Sequence, residues 1–408
     1  MRYDVLIVGA GHGGAQAAIA LRQHGYAGTV ALAGNENELP YERPPLSKEY
    51  LSGKKPFERI LIRPAEYWAA RDIALLPGRH VASVDPEARE VAMQDSSRLG
   101  YGALVWAAGG NARRLACPGH GLEGVHTLRS RADVDRMVGE LPSAEQVVII
   151  GGGYIGLEAA AVLTELGKRV AVLEAQDRVL ARVAGEPLSR FFEAEHRARG
   201  VDVRLGVAVS GLGGDGRVSG VQLGDGALLP AGMVLVGIGI SPAVAPLLDA
   251  GAAGGNGVEI DAQCRTSLPG IYAVGDCALQ SNPFAGGAPV RIESVQNAND
   301  QAAVVARDII GSPVEHQAVP VFWSHQYDLR LQTAGLSGGN DSNVVRGDPA
   351  TRSFSVVYLR QGRVIALDCV NAMRDYAQGR ALVVAGQTCD PAALADTSVP
   401  LKSLVRQA

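Results

Sequence analysis

Two glycine triplets of identical spacing are the residues in this chain best suited to chemistry. Gly9, Gly11 and Gly14 lie in DVLIVGAGHGGAQAA, and Gly151, Gly153 and Gly156 lie in VVIIGGGYIGLEAA. Both fit G-x-G-x-x-G between an apolar strand and an alanine-rich helix. The first glycine of such a turn permits the bend, the second lets backbone approach a phosphate without a Cβ, and the third lets helix pack closely on strand. The helix N-terminus then faces a diphosphate. Gly13 belongs to the first turn, and Tyr154 and Ile155 to the second. Each triplet therefore predicts a dinucleotide site.

Acidic residues near the turns refine this reading. A carboxylate at the end of the following strand accepts hydrogen bonds from ribose hydroxyls. After the first turn that strand is TVALAGNENE, where Asn35 or Glu36 can take the ribose; an asparagine is a departure from the usual acid. After the second turn, RVAVLEAQDR ends at Glu174, whose charge also repels a 2'-phosphate and so favours NADH over NADPH. Arg178 and Arg182 follow downstream and leave tolerance of NADPH open. Glu158 lies two residues past Gly156 and has two readings. It is either an acid favoured by the helix dipole or a carboxylate that holds a nicotinamide carboxamide and aims the ring.

The elements that position these residues form a repeating pattern. Each glycine turn opens a block that closes on an apolar strand running into glycines: LVWAAGG, with Ala108 and Gly109, and LVGIGISP, with Gly239. The stretch TSLPGIYAVGDCAL resumes strand character and leads into a helix over 294–309. This pattern predicts an α/β protein with two Rossmann-like nucleotide-binding domains, the second inserted in the first, plus a small C-terminal α+β domain. The first domain comprises residues 1–113 and 245–318, the second 114–244, and the C-terminal interface domain 319–408.

Composition excludes several classes. The 408 residues carry a net charge of -4, and aromatics make up only 5%, which gives no basic field or stacking surface for nucleic acid. No apolar run approaches the roughly 20 residues of a membrane helix. The apolar start flows straight into the first glycine turn and reads as a strand rather than a signal peptide, so a cytoplasmic protein is expected. Five scattered cysteines, Cys117, Cys264, Cys277, Cys369 and Cys389, suit free thiols in a reducing compartment. None forms C-x-x-C, and no metal site is expected.

Two dinucleotide sites, the second nested within the first, resemble the two-dinucleotide flavoprotein family. TSLPGIYAVGDC is similar to its second flavin motif, which implies that Asp276 binds the ribityl chain of FAD. PYERPPLSKEYL, RIESVQNANDQA and VPVFWSHQYDLRLQTAGL resemble a narrower group, the FAD-containing ferredoxin reductases of bacterial Rieske and cytochrome P450 oxygenase systems. The resemblance implies that electrons pass from NADH through FAD to an acidic [2Fe–2S] ferredoxin, whose docking weakens as salt rises. By position it assigns Arg43 and Lys48 to the flavin, with Lys48 stabilising the reduced ring. Val81, Arg129 and Val295 become further FAD contacts, and Trp323 an aromatic at the isoalloxazine edge. It also assigns Glu158 to nicotinamide orientation. The family's A-T-G is replaced by Ala107, Ala108 and Gly109.

Rival chemistries lack their residues. Disulfide reductases, peroxidases and oxidases of this family use a cysteine near the flavin, and none precedes Cys117. An NADH oxidase without that cysteine and a binding or signalling flavoprotein remain as alternatives. For the ferredoxin surface, Arg291, Arg307 and Arg330 are offered on charge alone.

Overall fold

The computed structural model describes residues 1–405. These divide into two compact units. One contains Met1–Arg43, Phe57–Asn111 and Ser241–Val321; the other contains Pro44–Pro56, Ala112–Ile240 and the chain from Phe322 onward. The segment carrying PPLSKEYL thus groups with the second glycine turn, and the C-terminal block shares that unit.

In the first unit, the strands Ile73–Leu76, Val30–Ala33, Arg2–Val8 and Arg98–Trp106 run parallel in that order, with Ile271–Ala273 also parallel beside Arg98–Trp106. Glu90–Met93 and Val81–Asp85 extend the edge antiparallel. Val5, Leu6 and Ile7 are fully buried, so this strand reads as a continuous apolar run rather than an alternating one. The helix His12–Gln23 packs against the helix Val295–Ile309, and Gly13 lies against Ala298 there, 3.6 Å from the Ala298 Cβ to where its own Cβ would be. Ser294 caps the latter helix by accepting from the Asn297 amide.

The second unit repeats the device. Asp202–Leu205, Arg169–Glu174, Gln146–Ile150, Met233–Val236 and Val125–Thr127 form a wholly parallel sheet in that order. The helix Tyr154–Glu165 follows its central strand. The C-terminal part is a five-stranded sheet ordered Val321–Gln326, Leu329–Gly335, Arg363–Val370, Ser353–Arg360, Ser342–Asp348, with the helix Met373–Ala385 packed on it.

Two buried polar groups secure this sheet. The Arg346 guanidinium bonds to Asp375 and donates to the carbonyls of Leu394, Asp396 and Val399, which pins the segment after the last sheet helix. Tyr358 donates to Asp368 at 2.6 Å and accepts from the Gly185 amide at 3.0 Å, which ties the sheet to the start of the helix Glu186–Ala198. Desolvation pushes the Asp368 carboxyl up to about 6. The architecture is the expected α/β fold with two nucleotide-binding domains and an α+β C-terminal part. Among the described residues, no helix is long and apolar enough to cross a membrane, and no cluster of ligating side chains could hold a metal ion.

Candidate active site

The glycines of the two turns separate into those required by packing and those that leave room for a ligand. Gly9 has φ +110°, and a Cβ there would lie 2.2 Å from the Ala107 carbonyl oxygen. A Cβ on Gly14 would lie 1.9 Å from the Gly9 oxygen. Gly11 is different: its nearest neighbour would be Arg43 Nε at 3.9 Å. The second turn behaves alike, with Cβ clashes of 2.4 Å at Gly151 and 2.2 Å at Gly156 but nothing within 4 Å of Gly153. Neither helix has a side-chain cap or an acid in its first turn, so its leading amides are presented without a competing anion. Open middle glycines before uncapped helices are what two diphosphates require.

Around the first turn, Glu36 rather than Asn35 is the preorganised acid. Its carboxylate accepts from Arg43 Nη2 at 2.6 Å and from the Tyr41 hydroxyl at 2.5 Å, whereas Asn35 is exposed. Arg43 therefore stands beside the open middle glycine, and Asp276 adds to the charges that stabilise its cation. Asp276 is presented by a turn in which the Gly275 amide donates to Gln301 and the Asp276 carbonyl accepts from Arg291. Gly109 takes φ +63° and its carbonyl accepts from the Ala243 amide. This stretch meets Gly9 and Ala243 through its backbone, which explains how Ala108 can stand where the family has threonine. Gly13 packs on Val274; Val81 is buried in its edge strand, and Val295 opens the helix that Ser294 caps.

Around the second turn, Glu174 is held in place. Its Oε2 accepts from the Gly152 amide at 2.7 Å and its Oε1 from the Gln176 amide at 2.9 Å. Arg178 is removed from consideration as a 2'-phosphate ligand. It donates to the carbonyls of Ala181 and Ala184 and to Ser189, and so serves the following loop. Arg182 lies over Gly239, 3.6 Å from where a Cβ would be. Tyr154 stacks on Phe322 at 4.5 Å, while Ile155 is exposed. Burial, with the Asp368 and Glu158 carboxylates, pushes the Tyr154 phenol well up. Arg129 precedes the helix Arg131–Glu140, where its amide donates to Asp133.

The helix Tyr154–Glu165 carries a buried polar cluster at the start of its second turn. Glu158 is 2% exposed, and its Oε2 accepts from Lys48 Nζ and Ser47 Oγ, both at 2.5 Å. Its Oε1 accepts from Ser324 Oγ at 2.6 Å. Lys48 also stands 5.2 Å from the centre of the half-exposed Trp323 ring, whose other neighbour is His325. Two residues that the sequence assigned to different tasks thus form one ion pair. Ser47 is adjacent to Lys48 in PPLSK and was within reach of sequence reasoning. Ser324 lies 166 residues from Glu158 and carries no local signal.

One further candidate changes. Arg291 is almost buried and is bonded to Asp276 and Glu293, so it cannot serve as a docking cation. Cys277 is fully buried, and desolvation pushes its thiol up to about 12; it is not a thiolate near neutrality.

A parallel-sheet fold carrying two open glycine cradles defines a class, and the chain belongs to the pyridine nucleotide-disulphide oxidoreductase family, matched over residues 3–302. The reductase C-terminal family is matched over residues 321–405. The chain is 62% identical to a ferredoxin–NAD(P)(+) reductase of Sphingomonas, covering 99% of this chain and 98% of that one. It is 59% identical to the ferredoxin reductase subunit of 5,5'-dehydrodivanillate O-demethylase from Sphingobium, covering 98% of each. Among solved structures, the covalent putidaredoxin reductase–putidaredoxin complex matches with a TM-score of 0.95 at 38% identity, over 98% of this chain and 97% of that one.

Proposed function

We propose that this protein is an NADH-dependent, FAD-containing reductase that passes electrons to an acidic [2Fe–2S] ferredoxin, the donor to an aromatic-ring oxygenase of the cytochrome P450 or Rieske kind. The observation that carries the reading is the second cradle. There an open Gly153 and a pinned Glu174 lie at one end of the helix whose second turn opens on the buried Glu158–Lys48 pair. The ferredoxin assignment is supported by the two reductase relatives and by the putidaredoxin complex. A cytoplasmic location suits the free thiols of Cys117, Cys264, Cys277 and Cys369.

Bound FAD supplies the junction between a two-electron hydride donor and a one-electron acceptor. The residues of the chain bind and orient. Gly9, Gly11 and Gly14 present backbone to the FAD diphosphate, with Arg43 as the adjacent cation, Glu36 for the ribose and Asp276 for the ribityl chain. Gly151, Gly153 and Gly156 do the same for NADH. The two backbone amides on Glu174 hold it aimed, so that it accepts from the adenosine ribose and repels a 2'-phosphate. Glu158 accepts from the nicotinamide carboxamide, and Lys48 balances its charge in a buried setting. No side chain acts as a nucleophile.

Anaerobic titration of the flavoprotein with NADH and NADPH tests the donor assignment. Glu174→Ala removes charge-assisted hydrogen bonds of about 1.5–3 kcal/mol. The expected result is a rise in the NADH Michaelis constant of about tenfold or more, with a smaller preference over NADPH. An unchanged preference would contradict the role of Glu174.

A further inference from the structure

Glu158 is the end of a longer polar line that the reaction outlined above does not use. His196, Gln326 and Ser324 are buried, at 0%, 1% and 1% exposure. The contacts run in sequence: Tyr327 hydroxyl to His196 Nδ1 at 3.1 Å, His196 Nε2 to Gln326 Oε1 at 2.8 Å, Gln326 Nε2 to Ser324 Oγ at 3.3 Å, and Ser324 Oγ to Glu158 Oε1 at 2.6 Å.

Heavy-atom chemistry gives this line a single direction. A carboxylate has no hydrogen to give, and Glu158 stands here as the acidic partner of a buried ion pair with Lys48. Ser324 must therefore donate to Glu158. If the Gln326 amide were flipped, its oxygen would draw the Ser324 hydrogen and leave two oxygens 2.6 Å apart with nothing between them. Gln326 Nε2 therefore faces Ser324, and its Oε1 faces His196. His196 must then carry its hydrogen on Nε2, and Nδ1 accepts from Tyr327. Burial supports the neutral ring, since it holds His196 down to about 4. Every group in the line donates toward Glu158, and aligned donors of this kind polarise one another. Lys48, Ser47 and Ser324 occupy three of the roughly four lone-pair directions of the carboxylate, which leaves one for an incoming amide.

We propose that Ser324, Gln326 and His196 are positioning residues for the reduction step, a one-way hydrogen-bond line that fixes Glu158 as an acceptor with one direction open to the nicotinamide carboxamide. The inference rests on the reading of Glu158 given above.

Two measurements on the holoenzyme test it. The first is NMR of 15N-histidine-labelled protein, with the His196 signal identified by its loss in His196→Gln. The expected state is a neutral ring with hydrogen on Nε2; an Nδ1–H tautomer overturns the proposal. The second uses Gln326→Glu, which keeps the shape but draws the Ser324 hydrogen to itself. In stopped-flow, Gln326→Glu and Ser324→Ala are expected to lower the limiting rate of flavin reduction by NADH about tenfold. The NADH dissociation constant should stay within about twofold, because the diphosphate and ribose contacts are untouched, and Ser324→Thr should restore the rate. Wild-type rates in both variants overturn the proposal. If Glu158→Gln is slow while both variants are normal, the line fails and the role of Glu158 stands. If Glu158→Gln is itself normal, the role of Glu158 fails and the proposal falls with it. Where a variant does not fold, the tautomer of the unmodified protein decides.

Discussion

Lys48→Met is expected to slow flavin reduction by NADH by about two orders of magnitude, as misplacement of a reacting group does, and to destabilise the protein at the same time. Methionine keeps the length of the side chain and removes the cation. Glu158 is then a buried carboxylate with two hydroxyl donors and no countercharge. Removing one partner of a buried pair costs about 3–5 kcal/mol, most of it the penalty on the charge left behind. The double variant Lys48→Met with Glu158→Gln separates the two effects. It has no orphan charge, so thermal stability should largely return, while the rate should stay low because the oriented carboxylate is gone. Thermal melts and stopped-flow traces of the single and double variants check both parts. A Lys48→Met protein as stable and as fast as the parent would remove the pair from the account.

The glycine turns give the other large effect, because glycines of one motif should fail in different ways. Gly9→Ala and Gly151→Ala place a Cβ against backbone carbonyls at positive φ and are expected to prevent the unit concerned from folding. Gly11 and Gly153 have φ of −82° and −77°, open to any residue, and no close neighbour. Gly11→Val should therefore fold and purify without its yellow flavin. Gly153→Val should fold, keep the flavin, and accept electrons from dithionite but not from NADH. Visible absorbance before and after each reductant distinguishes these outcomes. Flavin loss in Gly153→Val with retention in Gly11→Val would reverse the assignment of the two cradles.

The parts of the site that sit next to their motifs were legible in the sequence. The glycine spacing and Glu174 at a strand end are local patterns whose backbone geometry follows from the residues themselves, while Asp276 is singled out only by the resemblance of GDC to a flavin motif. Where a choice depended on tertiary contacts, the sequence left it open or misdirected it. Asn35 and Glu36 are adjacent, and only the bonds to Tyr41 and Arg43 single out Glu36. Arg178 leaves tolerance of NADPH open until its bonds to Ala181, Ala184 and Ser189 are seen. Lys48 and Glu158 are 110 residues apart and their pairing has no periodicity to reveal it. His196 and Gln326 are 130 residues apart, so no local pattern joins them. The grouping of Pro44–Pro56 with the second unit is likewise set by packing and not by composition.

We propose that electrons from NADH leave this protein through a [2Fe–2S] ferredoxin. The most direct measurement is NADH-driven cytochrome c reduction by the purified flavoprotein, with each member of a panel of bacterial [2Fe–2S] ferredoxins added in turn. Reduction is expected to be slow without ferredoxin, to accelerate greatly with at least one acidic ferredoxin, and to lose that acceleration as salt rises. NADH bleaching the flavin into a stable complex that no ferredoxin reoxidises would contradict it.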